Sequence, residues 1–211
     1  MSDEPGLRER KKRATRQQIS DLASGLFLER GFDQVTVAEV ARAADVSTKT
    51  VFNYFPRKED LFLDRLAPLG EMITTAVRDR PAGSSVLRAL RDMYLALLKA
   101  KNPVSGYAEP RYASFWRTVT ASAALRARVR EVVQDLEDLV ARLYAEAEGI
   151  DPHGLRARLA GAYVLAAHRS VYLTAATRAM AGTDPDTITA GSVRAYHQAF
   201  DAAERALATL D

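Results

Sequence analysis

Apolar residues recur at helical spacing along most of the chain, and no segment alternates polar and apolar positions as a strand does. The first such run covers residues 16–30, where Thr15 and Gln18 have the spacing of a capping box and Gly31 is a natural stop. Its apolar face carries Ile19, Leu22, Ala23, Leu26 and Phe27. The pattern predicts an all-α protein whose first helix follows a basic arm.

Two shorter helices are predicted next, over 37–44 and 48–54. Thr36 and Glu39 form a capping box before the first of them, and Ser47 is placed to cap the second. Two short helices joined by three or four residues are typical of a helix-turn-helix, whose second helix lies in the DNA major groove. The residues expected to face inward from that second helix are Val51, Phe52 and Phe55.

Charge strengthens this interpretation of the first quarter of the chain. The whole excess of +3 lies in residues 1–58, which hold 11 Lys and Arg against 8 Asp and Glu. The cluster consists of Arg8, Arg10, Lys11, Lys12, Arg13 and Arg16. Such a cluster on a near-neutral body indicates either an anionic partner or a solvated tail.

Other classes of protein find little support in the residues. The chain has no cysteine, no signal-peptide core and no apolar run of about 18 residues, so we expect a cytoplasmic protein without a membrane partner. The three histidines, His153, His168 and His197, form no known catalytic motif. We therefore expect no enzyme, catalytic residue, metal or cofactor, although a helical enzyme or a metal site at His168 and His197 remains an alternative.

Residues 12–62 resemble the DNA-binding domain of the tetracycline-repressor (TetR) family. The matching pieces are ERGF at 29–32, TVAEVARAADVS at 36–47, TVFNYF at 50–55 and KEDLF at 58–62. The resemblance implies an N-terminal three-helix helix-turn-helix domain over 1–57. A C-terminal helical bundle over 58–211 would then bind a ligand and dimerise.

The same resemblance assigns expected roles to single residues. Thr36 and Lys58 are similar to positions beside DNA phosphates, and Tyr54 is similar to a position that touches the backbone. The residues expected to form the base-reading surface with its cap are Ser47, Thr48, Lys49, Thr50 and Asn53. Lys49 replaces a frequent Gly, Phe52 a frequent Tyr and Arg57 a frequent Ser cap. Arg13 and Arg16 either reach DNA or lie in a solvated arm.

The remaining chain is predicted to be helical over 58–79, 86–101, 111–120, 122–148, 155–181 and 187–210. Pro68 should kink or break the first of these. The last helix has a second stripe of small residues, Ala195, Ala199, Ala202 and Ala206, which suggests a partner helix. The family forms its dimer there, so we expect a homodimer through 155–181 and 187–210, with full burial inside a monomer as the alternative.

A small-molecule effector between the middle helices is also implied by the resemblance. Candidate ligand-binding residues are Met93, Tyr94, Leu97, Phe115, Trp116, Val119, His168 and Tyr172, each of which could equally be ordinary core. His168 and Arg169 interrupt an apolar run and are expected to form a buried polar pair that needs partners. The predicted function is a ligand-responsive repressor that binds a near-palindromic double-stranded DNA operator as a homodimer. A ligand-independent dimeric DNA-binding protein is the alternative.

Overall fold

The computed structural model describes residues 6–105, 107 and 110–210, without the side chains of 110–113. Every regular element in these residues is helical, which confirms the predicted all-α class. The α-helices are α1 (Leu7–Arg30), α2 (Val37–Ala43), α3 (Thr48–Tyr54), α4 (Lys58–Leu63), α5 (Leu69–Arg78), α6 (Val86–Lys99), α7 (Pro110–Ala121), α8 (Ala123–Glu148), α9 (Leu155–Met180) and α10 (Pro185–Leu207).

The chain divides into two compact units. The first combines the residues up to Arg65 with the segment Arg117–Arg128, and the second combines Leu66–Trp116 with Val129–Asp211. Helices α7 and α8 therefore each contribute one end to the first unit. Nothing in the sequence pattern pointed to that segment.

The start of α1 was predicted wrongly. The helix begins at Leu7 rather than near residue 16, and Thr15 donates a hydrogen bond to the Lys11 carbonyl at 3.0 Å instead of capping a terminus. Lys, Arg and Glu are good helix formers, and Glu9 pairs with Arg13 one turn later at 3.8 Å. Arg8, Arg10, Lys11, Lys12 and Arg13 therefore lie on exposed turns of a helix, and Arg16 is half-buried.

The local signals of the helix-turn-helix are confirmed, with one exception. The Thr36–Glu39 capping box is present, Ser47 Oγ accepts from the Thr50 N–H at 3.0 Å, and Asp45 adopts a left-handed conformation in the turn. Phe52 does not face inward: its side chain is 47% exposed. It lies about 100° around the helix from Val51, whereas Phe55 lies one turn on and shares the buried face.

The predicted break near Pro68 is also confirmed. Helix α4 ends at Leu63, a 3₁₀ turn covers Asp64–Leu66, and α5 begins at Leu69. The loop at 80–85 separates α5 from α6 as expected. Helix α10 begins at Pro185, two residues before the predicted start, because Asp184 caps it by accepting from the Thr187 N–H.

An aromatic cluster forms the centre of the first unit. The ring of Phe27 lies 4.9 Å from that of Phe32 and 5.8 Å from that of Phe62, centroid to centroid.

Polar contacts hold the segment Arg117–Arg128 against the rest of the first unit. Ser122 Oγ donates to Asp33 Oδ1 at 2.8 Å, and Arg128 Nε donates to Asp60 Oδ1 at 2.8 Å.

The second unit is built around α6, α9 and α10. Tyr94, Tyr196 and Phe200 are buried at its centre, and the rings of the two tyrosines stack 5.5 Å apart. Helix α8 approaches α9 closely at Gly161, where an added Cβ would lie 2.3 Å from the Glu137 carbonyl oxygen. That oxygen belongs to helical backbone, so the space cannot be gained by rotating a side chain.

Replacement of Gly161 should measure this close approach. We expect Gly161→Ala to lower the free energy of unfolding by about 1–3 kcal/mol through overpacking, measured by urea denaturation with circular dichroism. Gly25→Ala in α1 is the control, because its Cβ would meet nothing within 4 Å. That variant should be stabilised by about 0.5–1 kcal/mol through helix propensity. Equal stabilisation by both changes would contradict the close packing.

Candidate nucleic-acid interface and internal cavity

Helix α3 presents a polar surface to solvent. Its buried side consists of Val51, and the Phe55 side chain that follows the helix is also buried. The predicted site residues lie together on and around the opposite side. Ser47, Thr48, Lys49 and Asn53 are exposed, and Thr50 and Tyr54 are half-buried. Exposed Phe52 adds an apolar side chain that the sequence analysis had placed in the core.

At the start of α2, the backbone and the side chain of Thr36 both form hydrogen bonds with Glu39. Its N–H and its hydroxyl both donate to Glu39 Oε2 at 2.8 Å, and Arg30 Nη2 lies 2.7 Å from Glu39 Oε1. The Thr36 backbone hydrogen bond, assisted by Arg30, lowers the pKa of Glu39 to about 2. The carboxylate is therefore charged at neutral pH and keeps the exposed start of α2 in place.

Arg16 is occupied within the first unit. Its guanidinium donates to the Tyr54 carbonyl at 2.7 Å and to Asp64 Oδ1 at 2.7 Å, and it lies 4.5 Å from the centroid of the Phe55 ring. These contacts join α1 to the last turn of α3. Arg16 thus holds α3 in position, whereas Arg13 is exposed on α1 beside Glu9.

Lys58 also points into the first unit. Its ammonium donates to the Phe32 carbonyl at 2.6 Å and lies 4.3 Å from the centroid of the Phe32 ring. Burial lowers the pKa of Lys58, and the nearby charge of Asp33 opposes that shift. If Lys58 also contacts a phosphate, its ammonium must bind the phosphate and the Phe32 carbonyl at the same time.

The second unit contains a cavity of about 180 Å³. Three of the predicted ligand-binding residues line it, namely Trp116, His168 and Tyr172. The rest of the wall is mostly aliphatic, and sequence reasoning missed it because such residues look like any helix core. These wall residues are Leu66, Leu69, Val104, Val129, Val132, Val133, Leu136, Leu165 and Leu173, and Arg169 joins them.

The other predicted ligand-binding residues do not line this cavity. Tyr94 is fully buried behind it, with its ring stacked 4.3 Å from that of His168. Met93 and Leu97 pack partly buried against the core, and Phe115 is buried. Val119 is buried in the first unit.

His168 and Arg169 do not form the expected buried pair. Arg169 is exposed, because consecutive helical residues point about 100° apart. His168 is only 9% exposed, and its Nδ1 lies 2.9 Å from the Tyr196 hydroxyl, which lies 3.1 Å from the Ser105 carbonyl. Burial lowers the pKa of His168 to about 4, so the ring is neutral at pH 7.

The outer faces of α9 and α10 carry the surface expected to pair with a second copy. Ala202 is exposed, and Ala195, Ala199 and Ala206 are half-buried. Leu173 and Met180 are 45% and 50% exposed on α9. An open groove of about 530 Å³ runs between the two helices, with Arg178 and Arg194 on its walls.

Neither a metal-binding cluster nor a membrane-spanning helix occurs in the described residues. No group of three His, Asp or Glu side chains there is arranged to hold a metal ion. No helix in the described part of the chain combines the length and the apolar character that crossing a bilayer requires.

Comparisons with known proteins give one consistent result. Residues 19–64 match the family model described as "Bacterial regulatory proteins, tetR family". The chain is similar to the HTH-type transcriptional regulator TcmR of Streptomyces glaucescens, with 32% identity over 149 residues. That match covers 70% of this chain and 66% of the length of TcmR.

Solved structures of low identity share the fold. A TetR-family regulator from Streptomyces coelicolor has a TM-score of 0.54 and 22% identity, and the match covers 95% of this chain and 99% of that one. Thermus thermophilus FadR, a TetR-family transcriptional repressor solved in complex with lauroyl-CoA, has a TM-score of 0.50 and 23% identity. That match covers 87% of this chain and 94% of FadR.

Removal of the Lys58 ammonium should weaken the first unit. We expect Lys58→Ala to lower the free energy of unfolding by about 1–3 kcal/mol, because the Phe32 carbonyl loses a charged donor and two rings lose a cation. Urea denaturation measures the change. Lys49→Ala, which removes an exposed lysine from the same unit, should change stability by less than about 0.5 kcal/mol. Equal stability of the two variants would contradict the inward role of Lys58.

Proposed function

Because this chain belongs to the tetR family of bacterial regulatory proteins, we propose that it is a transcriptional repressor that a small molecule releases from its DNA operator. The observation that carries the proposal is the exposed polar surface of α3, held in place by a buried apolar face. The regulatory role of TcmR, the curated relative with 32% identity, supports it.

The proposed DNA contacts follow from the chemistry of the exposed side chains. Asn53 reads a base edge by paired hydrogen bonds, and Lys49 reaches either a guanine or a phosphate. Phe52, exposed on the same helix, suits contact with a thymine methyl group. Contacts with phosphates and the DNA backbone position the helix, and we assign them to Thr36, Tyr54 and Lys58. Thr48 and Thr50, with the cap Ser47, belong to the proposed base-reading surface.

A second copy of the chain completes the proposed DNA-binding form. Two copies related by a two-fold axis place two α3 helices on the half-sites of a near-palindromic operator. The small-residue stripe of α10 and the exposed apolar residues of α9 support an interface between these two helices and their symmetry mates. Small side chains allow the close approach that packing between helices requires.

The proposed release of DNA by an effector depends on α7 and α8, each of which has residues in both units. Trp116 directly precedes the segment Arg117–Arg128, Val129 directly follows it, and both side chains line the cavity. A ligand that displaces these two residues moves the segment, which Ser122 and Arg128 fasten to the DNA-binding unit. The ligand would then shift the protein toward a conformation that binds the operator less well.

Selection of bound sequences from a random duplex library at two salt concentrations tests the function directly. We expect a near-palindromic site whose recovery survives the higher salt concentration. Binding that is sensitive to salt and blind to sequence, with purified protein free of bound ligand, would contradict a specific repressor. Purified protein is tested after partial denaturation and refolding, so that a copurified effector cannot mask the result.

Variants of α3 separate base contacts from phosphate contacts on the selected site. We expect Asn53→Ala to lose affinity mainly at particular base pairs, by about 1–3 kcal/mol, in a binding assay over single-base changes. Lys49→Ala should lower the salt slope by about one unit if it neutralises a phosphate. Lys99→Ala, an exposed lysine on α6, is the charge-matched control and should change neither quantity. A uniform loss with Asn53→Ala would reassign that residue to the backbone.

The proposed dimer interface is tested on α10. We expect Ala202→Arg to produce monomers in light scattering, because a long charged side chain cannot be buried at a close helix contact without a partner. Ala82→Arg, at an exposed loop position, is the matched control and should remain dimeric. Undiminished dimerisation of Ala202→Arg would place the interface elsewhere.

A further inference from the structure

The size of the cavity limits what it can hold. Its volume of about 180 Å³ is slightly larger than the roughly 150 Å³ of an engineered protein cavity that binds benzene. It therefore has room for a single ring with one or two small substituents, or roughly ten non-hydrogen atoms. The wall is mostly Leu and Val, which favours an apolar body for that ligand.

His168 is a buried polar side chain of the cavity wall, whereas Arg169, which also lines the cavity, is exposed. Tyr196 has one hydroxyl proton and two neighbours within hydrogen-bond distance, His168 Nδ1 and the Ser105 carbonyl. The carbonyl can only accept, so both contacts are satisfied only when Tyr196 donates to Ser105 and accepts from a protonated Nδ1. The opposite tautomer would leave one of these two contacts without a proton.

This assignment makes Nε2 of His168 a hydrogen-bond acceptor. The ring is neutral, so its second nitrogen carries a lone pair and no proton. The orientation of the ring is fixed by the Tyr196 contact, by Tyr94 stacked at 4.3 Å and by Tyr172 edge-on at 5.9 Å. Nε2 lies on the edge of the ring away from the Tyr196 hydroxyl, and His168 lines the cavity.

We propose that the cavity binds a compact phenol-like molecule, one aromatic ring with a hydroxyl group that donates a hydrogen bond to Nε2 of His168. The proposal rests on the proposed function, since it names the chemical class of the effector. Tyr172 and Trp116, whose rings meet edge-to-face at 5.2 Å, supply aromatic contacts for such a ring. Arg169 also lines the cavity, and its positive charge would attract an acidic ligand instead. The negative charge of Glu137 lies near Arg169 and offsets part of that attraction.

Three matched probes test this assignment on the wild-type protein without DNA. They are 4-ethylphenol, 1-ethyl-4-fluorobenzene of nearly equal shape without a donor, and the anion 4-ethylbenzoate. Trp116 is the only tryptophan of the chain, so its fluorescence reports binding when excited at the red edge of its absorption. We expect 4-ethylphenol to bind about tenfold more tightly than the fluoro compound.

Two variants test whether His168 is the residue that accepts the hydrogen bond from the phenol hydroxyl. His168→Phe keeps an aromatic ring without the acceptor, and it should bring the affinity ratio of the phenol to the fluoro compound close to one. Tyr163→Phe removes a hydroxyl from the same helix at a residue that does not line the cavity, and it should leave the ratio at about ten. If His168→Phe does not fold, the probe series on the wild type still decides, together with His168→Gln, which restores an acceptor.

The outcomes are distinct. Equal affinity for phenol and fluoro compound, tightest binding of 4-ethylbenzoate, or no binding of 4-ethylphenol would each overturn the assignment. Release of the selected operator by 4-ethylphenol is measured separately. Binding without release would contradict the proposed effector function and leave the subsite standing, whereas failure to select an operator would contradict the repressor and leave the binding result unaffected.

Discussion

A helix of seven residues is not stable by itself in water, so everything that α3 presents to a partner depends on what holds it from behind. Val51 and Phe55 anchor it by burial, and Arg16 ties its last turn to α1 and to Asp64. Arg16, which the sequence analysis considered as a possible DNA contact, thus helps to fix the position of α3. Thr48, Lys49 and Asn53 of α3 remain exposed because this support needs only one face of the helix.

The second unit depends on a different constraint, the close approach of helices at small residues. Gly161 lets the backbone of α8 lie against α9, and the stacked rings of Tyr94, His168 and Tyr196 fill the space toward α10. The cavity lies beside this stack, with Leu and Val side chains on its other walls. In the proposed site, the stacked wall would orient the ligand and the aliphatic walls would enclose it.

Helices α7 and α8 are parts of the covalent chain that have residues in both units. Each contributes one end to the first unit and the remainder to the second, and the residues at the change from one to the other line the cavity. The proposed release of DNA by a ligand therefore relies on Trp116 and Val129, which line the cavity and directly flank the segment Arg117–Arg128.

Local signals in the sequence determined the elements of the helix-turn-helix. The caps Thr36 and Ser47 act on backbone groups only three residues away, and the turn at Asp45 is equally local. Their effects could therefore be predicted from the sequence. The helical class and the break near Pro68 were predictable for the same reason. Only the tertiary structure decided the direction of Phe52, Arg16 and Lys58, the membership of Arg117–Arg128 in the first unit, and the aliphatic wall around His168. These features depend on contacts between residues far apart in the chain, and helical periodicity shows which residues share a face but not which element that face meets.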